Sequence, residues 1–208
     1  MNKKQLAIIL SKIKVFDNPD VKLEQYSTDS NIAADLLWNA YLSGDIEGKK
    51  ISDLGCGPGI FGLGALLLGA KEVDFVDIDK KILDVAKKNK ETLEKETGAK
   101  FKANFFNSNV VGYSRKCDVV IQNPPFGVKE THHDKLFLMQ AMSLAPVVYS
   151  FHKLSTKGFV DEIIRDNGFA VKRVWSYRFP IKKLFWFHKK PVFYADVACW
   201  KAVKKAKV

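Results

Sequence analysis

The stretch best equipped for chemistry is Ile121-Gln122-Asn123-Pro124-Pro125-Phe126-Gly127. It follows an apolar run, Cys117-Asp118-Val119-Val120-Ile121, that predicts a buried strand. Two successive prolines stop that strand, because proline lacks the N–H that a ladder requires. The stop leaves the Asn123 carboxamide and the Phe126 ring at the strand's carboxyl end, where open α/β sheets bind their ligands. The Asn123 amide oxygen and the Pro124 carbonyl, which Pro125 follows, offer two acceptors to one NH2 group. Phe126 offers a face to the flat, conjugated ring that carries it.

A second such stretch is Asp53-Leu54-Gly55-Cys56-Gly57-Pro58-Gly59-Ile60-Phe61-Gly62, entered from a short strand at Ile51–Leu54. Glycines at 55, 57 and 59 permit a tight turn and close approach of backbone to a ligand. The loop opens onto a helix running to about Gly69, whose N-terminal amides favour negative groups. Nicotinamide, flavin and sulfonium cofactors all use loops of this kind. An acid before the first glycine suits a cofactor without a pyrophosphate. The next strand, Val73–Val76, ends in Asp77-Ile78-Asp79, where a carboxylate can accept both ribose hydroxyls of an adenosine. Asp77 directly ends the strand and is the expected ribose ligand, while Asp79 is expected to cap the charged helix that runs to about Glu96.

The elements that must position these residues follow from the pattern. Leu6, Ile9, Leu10 and Ile13 predict an amphipathic helix over residues 3–16, broken at Asn18-Pro19. Thr28, Asp29 or Ser30 caps the next helix. After a strand near Phe101–Phe106 comes Asn107-Ser108-Asn109-Val110, where Ser108 or Asn109 can accept a hydrogen bond. Beyond the Asn-Pro-Pro-Phe strand lie a helix from about Lys135 to Ala145, a strand at Val147–Phe151 and a helix ended by Asn167-Gly168. Phe169–Arg178 and Pro191–Trp200 alternate like an antiparallel hairpin at the sheet's far edge. The expected fold is α/β: a doubly wound, Rossmann-like, mostly parallel seven-stranded sheet with a reversed last strand. It forms one domain over 1–208, with residues 1–45 an N-terminal helical segment contributing to the cofactor site and 46–208 the core.

The chain has 208 residues and a formal net charge of +11, which points to an anionic partner, nucleic acid first. From Asn167 to Ala195 there is no acidic residue, and Lys172, Arg173, Arg178, Lys182, Lys183, Lys189 and Lys190 are interleaved with aromatics. Lys182, Lys183, His188, Lys189 and Lys190 are the expected RNA contacts, since basic groups track phosphates and rings stack on unpaired bases. Trp175 and Tyr177 can equally be core residues of the strand. No apolar run approaches the length of a membrane span, and three cysteines are too few and too odd for a disulfide framework, so a cytoplasmic protein is expected. The four histidines lack metal-ligand spacing, so no metal is expected, and Cys56 reads as a small loop residue.

Asn-Pro-Pro-Phe resembles motif IV of the amino-methyltransferases, and Asp-x-Gly-x-Gly-x-Gly resembles motif I of class I methyltransferases that use S-adenosylmethionine. With Leu23-Glu24-Gln25-Tyr26-Ser27-Thr28, Tyr149-Ser150-Phe151-His152-Lys153 and Phe187-His188-Lys189-Lys190, nearly the whole chain is similar to the methyltransferase-like protein 5 family and its archaeal relatives. The resemblance implies N6-methylation of adenosine in small-subunit ribosomal RNA. It implies cofactor contacts at Gln25, Thr28, Gly55, Asp77 and the Asn109-Val110 region, with Asn123, Pro124, Pro125 and Phe126 catalytic. Asp53, Gly57, Pro58 (through backbone), Ile60, Ile78 and Asn123 complete the candidate cofactor set. It also implies, as a partner, a small zinc-containing subunit of the Trm-type methyltransferase activator family. The alternatives are methylation of a protein glutamine amide or of DNA adenine, or an RNA-binding assembly factor without activity.

Overall fold

The computed structural model describes residues 1–15, 28–125, 133–182 and 192–206. Seven strands form one sheet: β1 (Lys50–Leu54), β2 (Glu72–Asp77), β3 (Ala103–Asn107), β4 (Val119–Gln122), β5 (Val147–Lys153), β6 (Phe169–Lys182) and β7 (Val192–Lys204). Their order is β3-β2-β1-β4-β5-β7-β6. The first five run parallel, and β7 is antiparallel to both neighbours. This is the Rossmann-like methyltransferase arrangement with its reversed last strand.

Helices cover both faces, which is why β1, β2 and β4 are buried almost throughout rather than at alternate residues, the polar Ser52, Asp53, Glu72 and Asp74 included. One face packs against α1 (Lys3–Leu10), α2 (Ser30–Leu42), α3 (Ile60–Leu67) and α4 (Lys80–Thr97), around Leu37, Leu63, Phe75, Tyr149 and Phe151. The other packs against α5 (His133–Leu144) and α6 (Lys157–Asp166), around Leu138, Val148, Ile164 and Trp200. Trp200 is fully buried, and its indole Nε1–H donates to Asp161 Oδ1 at 2.8 Å. Close approach of α3 depends on Gly62, where an added Cβ would lie 2.3 Å from Cε1 of the Phe75 ring.

Three boundaries differ from the sequence expectation. α1 stops at Leu10, where Ser11 turns its hydroxyl back to the Ile8 carbonyl. β5 continues to Lys153 because β7 pairs with it as far as Lys153↔Val197, so His152 is a strand residue. The hairpin is longer than expected, with β6 ending at Lys182 rather than Arg178 and β7 at Lys204 rather than Trp200; past Val197 the two strands make five pairs, from Arg178↔Asp196 to Lys182↔Val192. At strand rise this ribbon projects about 16 Å beyond the carboxyl edge of the parallel strands. No described helix is long and apolar enough to cross a membrane.

Candidate functional site

The carboxyl ends of three adjacent strands, β2, β1 and β4, bring Asp77, the Asp53–Gly62 loop and Asn123 to one edge. The loop is shaped by backbone. Gly55, Gly57 and Gly59 take φ values of 64°, 53° and 91°, and both Gly55 N–H and Cys56 N–H donate to the Val76 carbonyl, at 2.8 and 3.0 Å. Gly57 N–H donates to Asp77 Oδ2 at 2.9 Å, and Asp79 N–H donates to Asp77 Oδ1 at 3.0 Å. Burial pushes the Asp77 carboxyl above the usual range, against these two N–H contacts. Asp77 therefore joins loop to strand before any ligand arrives, while Asp79 caps α4 through Lys81 N–H.

Asp53 is buried within the sheet. Its Oδ2 accepts Gly62 N–H at 2.8 Å, tying the loop's entrance to the first turn of α3, and its Oδ1 is buried with no partner. Burial pushes this carboxyl up to about 8; the Gly62 contact opposes that rise and the Asp77 charge adds to it. Pro58 offers its carbonyl to Asn89 Nδ2 at 3.0 Å, so its backbone is already committed. Ile60 is buried at the start of α3, and Ile78 lies exposed beside Asp77.

At the edge toward β3, Ser108 and Asn109, the two expected acceptors, are engaged locally. Asn109 Oδ1 accepts Val111 N–H at 3.0 Å and caps the turn Val110–Gly112, whose Val110 is buried, and Ser108 Oγ donates to the Asn109 carbonyl. Asn107 Nδ2 donates to the Asp77 and Ile78 carbonyls, binding the ends of β3 and β2 together.

Across the edge, Asn123 Nδ2 donates to Thr28 Oγ1 at 3.1 Å, and Asn123 Oδ1 is buried with no partner. Asp29, not Thr28, caps α2, accepting the N–H groups of Asn31 and Ile32. Pro124 is buried and Pro125 partly so. Gln25 and Phe126 lie outside the described residues, as do Lys183, His188, Lys189 and Lys190; Lys182 is the last residue of β6. Trp175 stacks on Tyr149 and Tyr177 packs on Phe151, with the Tyr177 hydroxyl donating to Asp35, so these two aromatics belong to the core. On the projecting ribbon, the Arg178 guanidinium lies 4.9 Å from the centroid of the exposed Tyr194 ring.

Sequence reasoning missed two sets of side chains. Asn89 of α4 holds the Pro58 carbonyl and, through both ends of its carboxamide, the Lys14 backbone. Its one signal was its place between Ala86 and Leu93, on the buried face of a charged helix. Gln122, Ser150 and His152 form a buried polar row behind Asn123: Gln122 Nε2 donates to Ser150 Oγ at 2.9 Å, and Ser150 Oγ meets His152 Nε2 at 2.7 Å. Their signal was polarity inside otherwise apolar strands.

Among the described residues, the edge thus presents acidic side chains and orphaned acceptors, with no concentration of cationic side chains. It suits a ligand that brings hydroxyl donors and positive charge, as an adenosyl sulfonium amino acid does, and not a pyrophosphate. Among the described residues, no group of three His, Cys, Asp or Glu is placed to hold a metal ion.

Comparison with known proteins agrees with this geometry. The family model "Methyltransferase small domain" matches residues 26–146. An uncharacterized protein of Methanocaldococcus jannaschii is 34% identical, covering 98% of this chain and 95% of its own length. The rRNA N(6)-adenosine-methyltransferase METTL5 of Danio rerio is also 34% identical, covering 91% of this chain and 93% of its own. The crystal structure of a candidate RNA methyltransferase from Pyrococcus horikoshii superposes with a TM-score of 0.87 at 42% identity, covering 98% of both chains. The chain belongs to the methyltransferase small-domain family and, within it, to the methyltransferase-like protein 5 group.

Proposed function

We propose that this protein methylates N6 of an adenosine in ribosomal RNA, most simply that of the small subunit, using S-adenosylmethionine. One observation carries the reading: the Asn123 carboxamide is held by Thr28 at its nitrogen, leaving a buried, unpartnered oxygen at the carboxyl end of β4. That orientation makes Asn123 an acceptor toward the site. The relatives named above as rRNA N(6)-adenosine-methyltransferases supply the substrate class.

The cofactor, when bound, supplies an electrophilic methyl group. Asp77 would accept its ribose hydroxyls, Asp53 Oδ1 would face its amino-acid end through water, and the backbone of Gly55 and Gly57 would let it approach closely. Adenine N6 is a poor nucleophile because its lone pair is delocalised into the ring. Acceptance of its hydrogens by Asn123 Oδ1 and the Pro124 carbonyl favours a more pyramidal nitrogen and stabilises the positive charge that grows there. No strong base is required, since the product ammonium is acidic enough to lose its proton to water. The base must be flipped out of any helix to enter, and Phe126 would stack on it. The projecting ribbon, with Arg178 over Tyr194 and Lys182 at its end, together with Lys183, His188, Lys189 and Lys190, would hold the RNA backbone beside the site.

Two finer readings belong here. A small zinc-containing activator subunit would have an edge to dock on, since β3 ends the sheet and pairs only with β2 among the described strands. A cytoplasmic location is compatible with the ribosomal substrate.

The test is incubation with methyl-labelled S-adenosylmethionine and, separately, each ribosomal RNA, DNA and protein extract, followed by digestion. Label in N6-methyladenosine from ribosomal RNA supports the proposal. Label in glutamine or in DNA overturns it.

A further inference from the structure

Behind the Asn-Pro-Pro motif, on the face of the sheet covered by α5 and α6, lies the row of polar side chains that no apolar strand needs. Gln122, Ser150 and His152 are at most 1% exposed. Gln122 and Ser150 are register partners on adjacent parallel strands, and His152 is two residues on, so all three share one face. Beyond His152, its Nδ1 is buried without a partner and lies 4.0 Å from Oδ2 of Asp134, in the first turn of α5. His152 packs edge-on against Trp200, with ring centroids 5.7 Å apart, which fixes its plane.

Gln122 Nε2 is a donor only, so Ser150 Oγ accepts it, and the one hydrogen of Ser150 is then available to His152 Nε2, 2.7 Å away. In that arrangement His152 Nε2 accepts and the ring proton is on Nδ1, the side that faces Asp134 Oδ2 across 4.0 Å. Burial holds the ring's pKa down at about 4, so it is neutral at physiological pH and carries a single ring proton.

We infer that His152 is a positioning residue for methyl transfer, holding both ends of the segment that runs from Asn123 to Asp134. At one end it fixes Gln122, the residue before Asn123, to β5 through Ser150. At the other, its Nδ1 faces the Asp134 carboxyl at the start of α5 across 4.0 Å, an electrostatic contact rather than a hydrogen bond. This rests on the reading of Asn123 as the acceptor for the target amine. The carboxamide is useful only if it is placed within a fraction of an ångström, and a row rigidly built into two strands does that better than a loop alone.

The test uses the full chain labelled with 15N. Long-range 1H–15N spectra read the tautomer of His152, assigned by its loss in His152→Phe, with Nδ1–H and an accepting Nε2 expected. In His152→Phe the side-chain amide signal of Asn123 should shift, and turnover on ribosomal RNA should fall about tenfold or more while cofactor affinity stays within twofold. His152→Asn, which keeps a donor near the place of Nδ1, should recover part of that loss; Asp134→Asn, a milder change at a half-exposed residue, should slow turnover about threefold. An Nε2–H tautomer overturns the inference, as does a folded His152→Phe with unchanged turnover and an unmoved Asn123 signal. Absence of methyl transfer by the wild-type chain overturns the proposed activity instead, and the tautomer and Asn123 signals still decide the placement.

Discussion

Asn123 and Thr28 stand 95 residues apart and meet through a single hydrogen bond, carboxamide nitrogen to hydroxyl oxygen, at 3.1 Å. The carboxamide nitrogen is turned to Thr28, and the oxygen is left for the site. Thr28→Val keeps the shape and deletes the acceptor. The expected result is about a three- to tenfold loss of turnover, the worth of one hydrogen bond. Asn123→Ala should lose about 10²–10³-fold, as for other preorganised polar groups aimed at developing charge. The double variant should be no worse than Asn123→Ala alone, since both act on one carboxamide. Single-turnover rates at saturating cofactor check all three.

Asp77 both shapes the glycine loop and stands ready as a ligand. Asp77→Asn retains one acceptor oxygen for a loop N–H but removes the charge and one hydroxyl acceptor. Cofactor affinity measured by calorimetry should weaken about tenfold or more, with a far smaller effect on turnover at saturating cofactor.

Gly62 has no room for a methyl group, because the Phe75 ring would lie 2.3 Å from it. Gly62→Ala should cost about 1–3 kcal/mol in thermal or denaturant unfolding, the usual range for overpacking a core. Adding Phe75→Leu should return part of the loss.

Two buried groups give the stability a predictable pH dependence. Asp53 is raised from 3.8 to about 8, so it takes up a proton on folding; its contribution is full below about 3.8 and is lost as pH rises through about 8. His152 is lowered from 6.5 to about 4, so its contribution is present above 6.5 and is lost as pH falls toward 4. Of these two, only Asp53 imposes a slope between pH 6.5 and 8, up to about 1.4 kcal/mol per pH unit. Unfolding free energy of the wild type should therefore fall with rising pH across that window. Asp53→Asn, which preserves an acceptor for Gly62 N–H, should flatten it.

How much of this was legible in the sequence depends on the range of the contacts involved. The glycine loop, Asp77 and the Asn-Pro-Pro motif were readable because glycine and proline carry their backbone consequences with them. The reversed last strand was readable from two alternating segments in succession. The full length of β6 was not, because its hydrogen-bond register with β7 continues past Arg178 as far as Lys182. His152 lies one residue past the strand end expected at Phe151; with the ladder extended to it, it becomes the third member of a row. Asn89 was hidden among lysines, and only its packing face tells it from them. Which of Thr28, Asp29 and Ser30 capped α2 was equally closed to inspection, since all three are capping types.

The central claim is tested most directly in cells lacking this gene, by mass spectrometry of nucleosides from their small-subunit ribosomal RNA. N6-methyladenosine should fall in that RNA, return with the wild-type gene, and stay low with Asn123→Ala expressed at the same level. An unchanged N6-methyladenosine content without the gene, or its full recovery with Asn123→Ala, would contradict the account.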